Sequence, residues 1–559
     1  MPDRSVSDPP TADKSTRSKP QRGESVDPRR KLAPSECHEG PIGKQAFQQG
    51  PGILRVLEAS LGLAACSLAI ANHICAQPSA VAATVDHYKL AQNFPAATEI
   101  GAPAAAPAYP LKVSANHRYL VDQNNMPFLM VGDSPHSLIA NLSQAEAATY
   151  MADRRKFGIN TLLIELLCNF PDVCQKDGST IDGISPFIVS GDLSTPNPAY
   201  FRRVDEMISA AAANGMVVLL DPIETSGWLE ALRSNGPTKA FAYGQYLGTR
   251  YKDLPNIIWM HGNDFQTWRN ATDDALAQAV ARGIRSADGN HLHTVALNYF
   301  TSGSLDDPSW APLIELDAAY TYFPTYAQVL IEYNRANFKP VFMVEANYEF
   351  EHNPGTDGGS TQNLRRQEYW TMLSGATGQV YGSSHTWRFE RGWEAKLDTP
   401  GVRQLSYMKY LFSRLRWYDL IPDQAHVVVT SGYHGVAGFI GWLATFFGQS
   451  SGWEARGFHY FKRLTGLGSI STNTYASAAS TSDGSLVVAY LPTIRPVAVD
   501  MSKLAGPARA RWYDPANGKY LDAGDLPLPN AGRRWFTPPG ANSAGDGDWV
   551  LLLEASTVR

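Results

Sequence analysis

The chain has 559 residues, a length that predicts two to four domains and a core that needs no disulfide staples. Its 48 basic and 53 acidic residues give a net charge of −5, which argues against a nucleic-acid-binding protein. Five cysteines are too few and too scattered for a disulfide framework or a four-thiolate zinc site. Neutral molecules are therefore the expected partners.

The first 110 residues precede any regular pattern of strands and helices. Residues 1–50 are rich in Pro, Ser, Gly and charge, and they predict a disordered tail. Residues 51–83 hold an apolar run of about a dozen residues, which is shorter than a membrane span and typical of a signal peptide. Residues 84–110 form a linker that ends in Pro and Ala.

Two cleavage sites compete in this leader. Leu63 to Cys66 resembles a lipoprotein box, whereas Ala69 to Ala71 resembles an ordinary signal peptidase site. We predict an exported protein that is periplasmic, secreted or lipid-anchored at Cys66, with no transmembrane span. A short helix in a cytoplasmic protein is the alternative.

Residues 111–420 carry eight apolar runs separated by helix-length stretches. Most runs are continuously apolar, which is typical of parallel strands buried on both faces. A capping box at Ser143 and Glu146 predicts a helix that ends at Phe157. Eight such units predict an α/β fold, the (β/α)₈ TIM barrel. The runs are 127–131, 161–167, 216–220, 257–260, 294–297, 318–322, 341–344 and 379–381.

The last part of the chain changes pattern. Residues 471–559 contain short apolar runs separated by turn signals, and they predict a small antiparallel β-sandwich domain. Residues 421–470 are a connecting or inserted segment, of which 432–466 fits neither domain's pattern.

The active site of such a barrel lies at the carboxyl ends of its strands, so the residues after each run are the candidates. Asp264 and Glu345 follow the fourth and seventh runs, and these strands face each other across the barrel. A retaining glycosidase needs two carboxyl groups about 5 to 5.5 Å apart, whereas an inverting one needs about 6.5 to 9.5 Å. Both mechanisms remain open, because the shorter Asp264 reaches Glu345 only if the backbone carries it closer.

Three motifs make a family resemblance specific. Gly132-Asp133-Ser134, the segment 256–264 and the segment 339–349 resemble the apiosidase-like glycoside hydrolases, family 140. The segments 510–518 and 548–552 resemble a small β-domain, labelled collagen-binding, that often follows them. The resemblance implies that Asp264 is the acid/base, that Glu345 is the nucleophile and that Asn263 binds the sugar 2-hydroxyl. It further implies a furanoside substrate such as apiose in plant pectin.

The remaining substrate-binding candidates also stand after the runs. Glu349 is the fallback nucleophile, and the aromatic residues are candidate sugar platforms. The family usually has an aromatic residue where this chain has Pro135-His136, so the sugar recognised there is expected to differ. The substrate-binding candidates are Asp133, His136, Asp221, Asn263, Tyr299, Tyr322, Tyr348, Glu349 and Trp387.

Other chemistry receives less support from the sequence. His291 and His293 share one face of a strand, but they lie at the wrong end of the barrel and lack a third ligand, so we expect no metal and no cofactor. Cys168 and Cys174 could form a loop disulfide in an exported protein. We therefore predict a glycoside hydrolase that acts on an oligo- or polysaccharide. The alternative is a non-catalytic carbohydrate- or matrix-binding protein on a barrel scaffold.

Overall fold

The computed structural model describes residues 107–170, 172–297, 301–353, 357–433, 469–524 and 527–556. The expected tail, leader and most of the linker lie outside these residues, as does nearly all of the segment 432–466. The predictions made for them stay predictions. None of the helices in the described ranges is long and apolar enough to cross a membrane.

The first part of the described chain alternates strands with helices. Its helices are α1 (Leu138–Asn141), α2 (Gln144–Lys156), α3 (Pro198–Ala213), α4 (Thr225–Tyr251), α5 (Ala271–Ala287), α6 (Thr325–Tyr333), α7 (Thr361–Leu373) and α8 (Pro400–Phe412). Its strands are β1 (Lys112–Val113), β2 (Leu120–Val121), β3 (Pro127–Phe128), β4 (Met130–Asp133), β5 (Thr161–Glu165), β6 (Val217–Asp221), β7 (Ile257–His261), β8 (Leu292–Val295), β9 (Thr301–Ser302), β10 (Asp317–Thr321), β11 (Val341–Glu345) and β12 (Gly378–Tyr381).

Nine strands form one curled sheet in the order β8-β7-β6-β5-β4-β12-β11-β10-β9. Pairing is parallel throughout, except that β9 runs antiparallel to β10. The eight predicted strands are therefore present, and the first joins the eighth. Two differences from the prediction occur in the described residues. The first run is split between β3, in a separate small sheet with β1 and β2, and β4, and the short strand β9 is added at the edge of the large sheet.

The sheet is not paired all the way round in the described residues. No strand ladder joins β8 to β10, although the backbone N–H groups of Glu315 and Leu316 donate to the carbonyl of His293 in β8. The observed architecture is thus a curled, mostly parallel sheet surrounded by helices. Closure into a complete TIM barrel stays a prediction.

The local sequence explains how these elements begin and end. The predicted capping box is present: Ser143 accepts from the backbone N–H of Glu146, whose side chain accepts from the N–H of Ser143. The helix then ends at Lys156, one residue before the predicted Phe157. All residues of β5, β6, β7 and β11 are buried, as expected for strands covered on both faces.

The C-terminal part contains two antiparallel sheets. Six strands lie in the order β13-β15-β16-β21-β18-β19, and three in the order β14-β17-β20. Side chains of both sheets share one apolar cluster, including Val499 from the smaller sheet and Leu551 from the larger. The strands are β13 (Leu420–Pro422), β14 (Val429–Ser431), β15 (Ser477–Thr481), β16 (Leu486–Leu491), β17 (Val497–Asp500), β18 (Ala508–Tyr513), β19 (Tyr520–Asp522), β20 (Arg533–Phe536) and β21 (Trp549–Ala555).

A buried ion pair joins the two parts. Arg365 of α7 donates through Nε and Nη2 to both carboxylate oxygens of Asp548, at 2.8 and 2.7 Å. Both side chains are fully buried. A bidentate guanidinium–carboxylate pair fixes orientation as well as distance, so it sets the position of the C-terminal sheets against α7.

Candidate active site

Five carboxyl groups gather at the carboxyl ends of the strands. They share a buried position, since the side chains of Glu165, Asp221, Glu224 and Glu345 are buried and that of Asp264 is half-buried. Burial raises the pKa of all five above its usual value, to about 8 for Glu224 and about 7 for Glu345. These groups therefore hold protons under conditions in which exposed carboxyls are ionised.

The backbone after β7 carries Asp264 into the site. Gly262 and Asp264 both adopt positive φ angles, of 71° and 48°. Glycine takes this conformation without cost, and Asp is one of the few other residues that tolerate it. The side chain of Asp264 is one methylene shorter than that of Glu. The left-handed turn places it 2.8 Å from Tyr320 Oη, next to Glu345.

One tyrosine hydroxyl connects the two candidate catalytic carboxyls. Tyr320 Oη lies 2.8 Å from Asp264 Oδ1 and 2.6 Å from Glu345 Oε1. These two carboxyl oxygens are therefore no more than 5.4 Å apart, the sum of the two distances. Glu345 also accepts from Tyr322 Oη at 2.6 Å on Oε1 and from Tyr348 Oη at 2.8 Å on Oε2.

The hydrogen count at this bridge limits how the two carboxyls are bound. A phenol has one hydrogen, so Tyr320 donates to a single carboxyl, and the shorter contact is the one to Glu345. When Tyr320 donates to Glu345, its oxygen can accept from a protonated Asp264 or from Tyr322 Oη at 3.0 Å. Burial and the neighbouring Asp264 raise the pKa of Glu345, but three hydroxyl donors favour its ionised form. The two carboxyls therefore share one proton: in one form an ionised Asp264 raises the pKa of Glu345, and in the other Asp264 holds the proton and Glu345 is ionised.

Several of the predicted binding residues lie around this pair. His136 Nε2 is 2.9 Å from Tyr348 Oη, and Asn263 Nδ2 donates to Glu165 Oε1 at 2.9 Å. The Trp387 ring packs edge-on against His136, with centroids 6.0 Å apart. Tyr322 and Tyr348 bind Glu345 directly, as described above. Contact of any of these side chains with a sugar stays a prediction.

Two other predicted binding residues form hydrogen bonds with groups in the protein interior. Asp133 is fully buried and accepts from Arg154 Nε at 2.6 Å. Glu349, the fallback nucleophile, is bound by the hydroxyl of Thr399 and the N–H of Gly401. These contacts favour structural roles for both residues.

Asp221 supports the turn before Asp264, since its carboxyl oxygens accept from the N–H groups of Ile223 and, at 3.4 Å, Asn263. Tyr299 lies outside the described residues.

Of the two histidines considered for a metal, His291 binds Asp288 at 2.6 Å and His293 binds His261 at 3.0 Å.

Two features of the site were not among the catalytic and substrate-binding residues that the sequence predicted. Tyr320, which bridges the carboxyls, lies in β10 two residues before Tyr322, which follows directly after the strand, and the two-residue period places both on the same face. That period was the signal that could have identified it. The second feature is Phe170, whose ring packs edge-on against His136 and Trp387 within the loop closed by the Cys168–Cys174 disulfide. No sequence pattern indicated that contact.

Comparison with known families decides the wider assignment. Residues 114–419, more than half of the chain, match the family model described as the apiosidase-like catalytic domain. The chain belongs to the apiosidase-like family. It is a glycoside hydrolase, so the alternative of a non-catalytic binding protein is not supported. Residues 467–554 match the model "Putative collagen-binding domain of a collagenase". The family number 140 stays a prediction.

Solved structures share the fold of this apiosidase-like chain. One, described as a glycoside hydrolase, is 23% identical with a TM-score of 0.65, and the match covers 81% of this chain and 98% of the other. Another, a glycoside hydrolase family 5 protein from Bacteroides vulgatus ATCC 8482, is 22% identical with a TM-score of 0.64 and coverages of 80% and 93%. At these identities the likeness shows the fold alone. A comparison with curated proteins found no match.

Proposed function

We propose that this enzyme is a retaining glycosidase in which Glu345 is the nucleophile and Asp264 the acid/base. The Tyr320 bridge is the observation that carries the proposal, because it limits the nearest carboxyl oxygens to 5.4 Å. This upper limit on one pair of carboxyl oxygens supports the roughly 5 to 5.5 Å spacing of retaining enzymes over the roughly 6.5 to 9.5 Å of inverting ones.

The two steps start from the form of the pair in which Asp264 holds the shared proton and Glu345 is ionised. Glu345 attacks the anomeric carbon while Asp264 transfers its proton to the leaving oxygen, which forms a glycosyl ester on Glu345 and releases the aglycone alcohol. Asp264, now ionised, removes a proton from water, and the resulting hydroxide displaces Glu345 from the sugar. The hydroxyls of Tyr320 and Tyr322 stabilise the Glu345 carboxylate before the attack and again as it leaves.

The substrate is proposed to be a furanoside such as apiose in plant cell-wall pectin or a related glycan. The apiosidase-like family membership supports this class. No described contact distinguishes apiose from arabinofuranose. The choice between them therefore rests on the substrate assay.

The experiment combines a panel of aryl furanosides and pectic fragments with NMR of the first-formed product. We expect release of a furanose sugar whose anomeric configuration matches that of the substrate. Release of the opposite anomer would contradict the retaining mechanism, and activity confined to pyranosides would contradict the substrate class.

We also propose that the protein is exported and that its sheet closes as a complete (β/α)₈ barrel. The Cys168–Cys174 disulfide supports export, because such bonds persist in oxidising compartments. The hydrogen bonds from the N–H groups of residues 315 and 316 to the carbonyl of His293 support closure, because they link β8 to the segment just before β10.

A further inference from the structure

Three side chains behind Glu345 have no part in the two-step mechanism. Tyr348 follows β11, His136 lies in the turn between β4 and α1, and Glu165 ends β5. All three are buried, with 4%, 3% and 0% of their surface exposed. Three strands of the sheet thus place polar side chains in one buried line that ends at Glu345.

The line is continuous from Glu345 to Glu165. Tyr348 Oη donates to Glu345 Oε2 at 2.8 Å, and His136 Nε2 lies 2.9 Å from the same hydroxyl. His136 Nδ1 lies 3.2 Å from Glu165 Oε1. The backbone repeats the link, since the N–H of Glu165 donates to the carbonyl of His136 at 3.1 Å.

Hydrogen counting fixes the direction of these bonds. The single hydrogen of Tyr348 goes to the carboxylate, so the phenol oxygen accepts and His136 Nε2 must carry a hydrogen. In a neutral imidazole Nδ1 then holds a lone pair and needs a donor. Asn263 Nδ2 lies 3.4 Å from it but donates at 2.9 Å to Glu165 Oε1, and Glu165 Oε1 is closer, at 3.2 Å. A carboxyl donates only in its acid form.

The surroundings of Glu165 favour that acid form. Among the described residues Glu165 Oε2 has no hydrogen-bond partner, and Oε1 accepts only from Asn263. An ionised carboxylate would be costly there. Burial raises the pKa of Glu165 well above its usual range and lowers that of His136, so both groups are neutral. The rings of Phe170 and Trp387 pack edge-on against His136.

We propose that Glu165 and His136 are positioning residues that act through Tyr348 on the nucleophile Glu345. The neutral Glu165 fixes the His136 tautomer, His136 orients the Tyr348 hydroxyl, and that hydroxyl holds Glu345 Oε2 for attack. His136 is then not a sugar ligand, because both of its ring nitrogens are engaged within the protein. The inference rests on the proposed function, in which Glu345 is the nucleophile.

A double-mutant cycle tests the line. His136→Leu and Tyr348→Phe should each lower kcat about 10- to 100-fold, the effect of losing a hydrogen bond to a charged group, with KM changed less than about threefold. The double variant should be no slower than Tyr348→Phe alone, because both changes break one line. Losses that multiply, or that fall on KM, would overturn the proposal.

Conservative variants separate positioning from structure. Glu165→Gln keeps a donor for His136 Nδ1, so kcat should stay within about threefold of the unaltered enzyme, whereas Glu165→Leu should lose as much as His136→Leu. Equal losses in the two Glu165 variants would overturn the neutral-donor role. His136→Gln, which can place an amide donor near Nε2, should recover part of the activity lost in His136→Leu.

Controls keep the outcomes distinguishable. His117→Gln changes an exposed histidine between β1 and β2 and should leave kcat unchanged. If His136→Leu does not fold, the two Glu165 variants still decide, since Glu165→Leu must lose activity and Glu165→Gln must keep it. If Glu345→Gln remained active, the proposed function itself would fail. If Glu345→Gln were inactive but the losses of His136→Leu and Tyr348→Phe multiplied in the double variant, the proposed function would stand and only the positioning role would be refuted.

Discussion

Buried carboxyl groups of two kinds occur in this molecule. Asp548, at the junction with the C-terminal sheets, binds the guanidinium of Arg365, and Asp133 binds that of Arg154 at 2.6 Å. At the mouth of the sheet, Asp264 and Glu345 bind tyrosine hydroxyls instead. Among the described residues neither of these two carboxyls lies in an ion pair.

The binding partner distinguishes carboxyls suited to holding the structure together from carboxyls suited to proton transfer. A guanidinium stays charged at any accessible pH, so its fork of N–H donors binds the facing carboxylate and fixes it in place. Hydroxyls solvate a carboxylate without neutralising it, so a buried carboxyl surrounded by them has a raised pKa and can exchange protons with its neighbour. In the proposed mechanism, the carboxyl pair needs this ability to exchange a proton.

The largest expected effect comes from removing the acid. Asp264→Asn should lower kcat/KM about 10²- to 10⁴-fold on substrates with poor leaving groups and far less on activated aryl glycosides, which need no proton. A loss that is equal for both kinds of substrate would contradict its role as the acid.

The same variant should move the acidic limb of the pH–rate profile. Glu345 must be ionised to attack, and the neighbouring Asp264 contributes to raising its pKa to about 7. Without that neighbour the pKa of Glu345 falls, so activity on the activated substrate should persist to lower pH. An unmoved acidic limb would show that the two carboxyls are not coupled.

Breaking a guanidinium pair should affect stability instead of chemistry. Arg365→Ala leaves Asp548 buried and unpaired, and it should lower the free energy of unfolding by about 3–5 kcal/mol in denaturant titration. Arg403→Ala, which breaks the exposed pair with Asp398, is the matched control and should cost no more than about 1 kcal/mol. Equal effects would contradict the importance given to burial.

The smallest effect is a gain in stability. The native pKa of Glu345 lies above that of the unfolded chain, so its ionisation destabilises the fold as pH rises from about 4.5 to about 7. Glu345→Gln removes this penalty. It should stabilise the protein by on the order of 1–3 kcal/mol at pH 8 and by nothing at pH 4, as thermal unfolding at the two pH values would reveal. Stabilisation that does not depend on pH would contradict this explanation.

Much of the fold could be predicted because its physical signals are local. Strands buried on both faces need continuous apolar runs, and all eight runs became strands of the sheet. The missed strands lack that signal: β15 is Ser477–Thr481, which is small and polar, and three of the four residues of β20 are exposed. Their positions depend on pairing with distant strands.

The site could be predicted only in part for a related reason. The rule that active sites lie at the carboxyl ends of strands led to Asp264 and Glu345, which the structure brings together. It could not distinguish residues that point into the mouth from those that support it. His136 was predicted to bind sugar, yet its nitrogens face Tyr348 and Glu165, contacts made across three strands.

The central claim, that Glu345 is the nucleophile of a retaining enzyme, is tested most directly by trapping the glycosyl-enzyme. A 2-fluoro furanoside with an activated leaving group should form the ester and hydrolyse it slowly. Mass spectrometry of the digested protein should then find one sugar attached to the peptide that contains Glu345. A sugar attached to another carboxyl, or turnover with inversion and no adduct, would contradict the account.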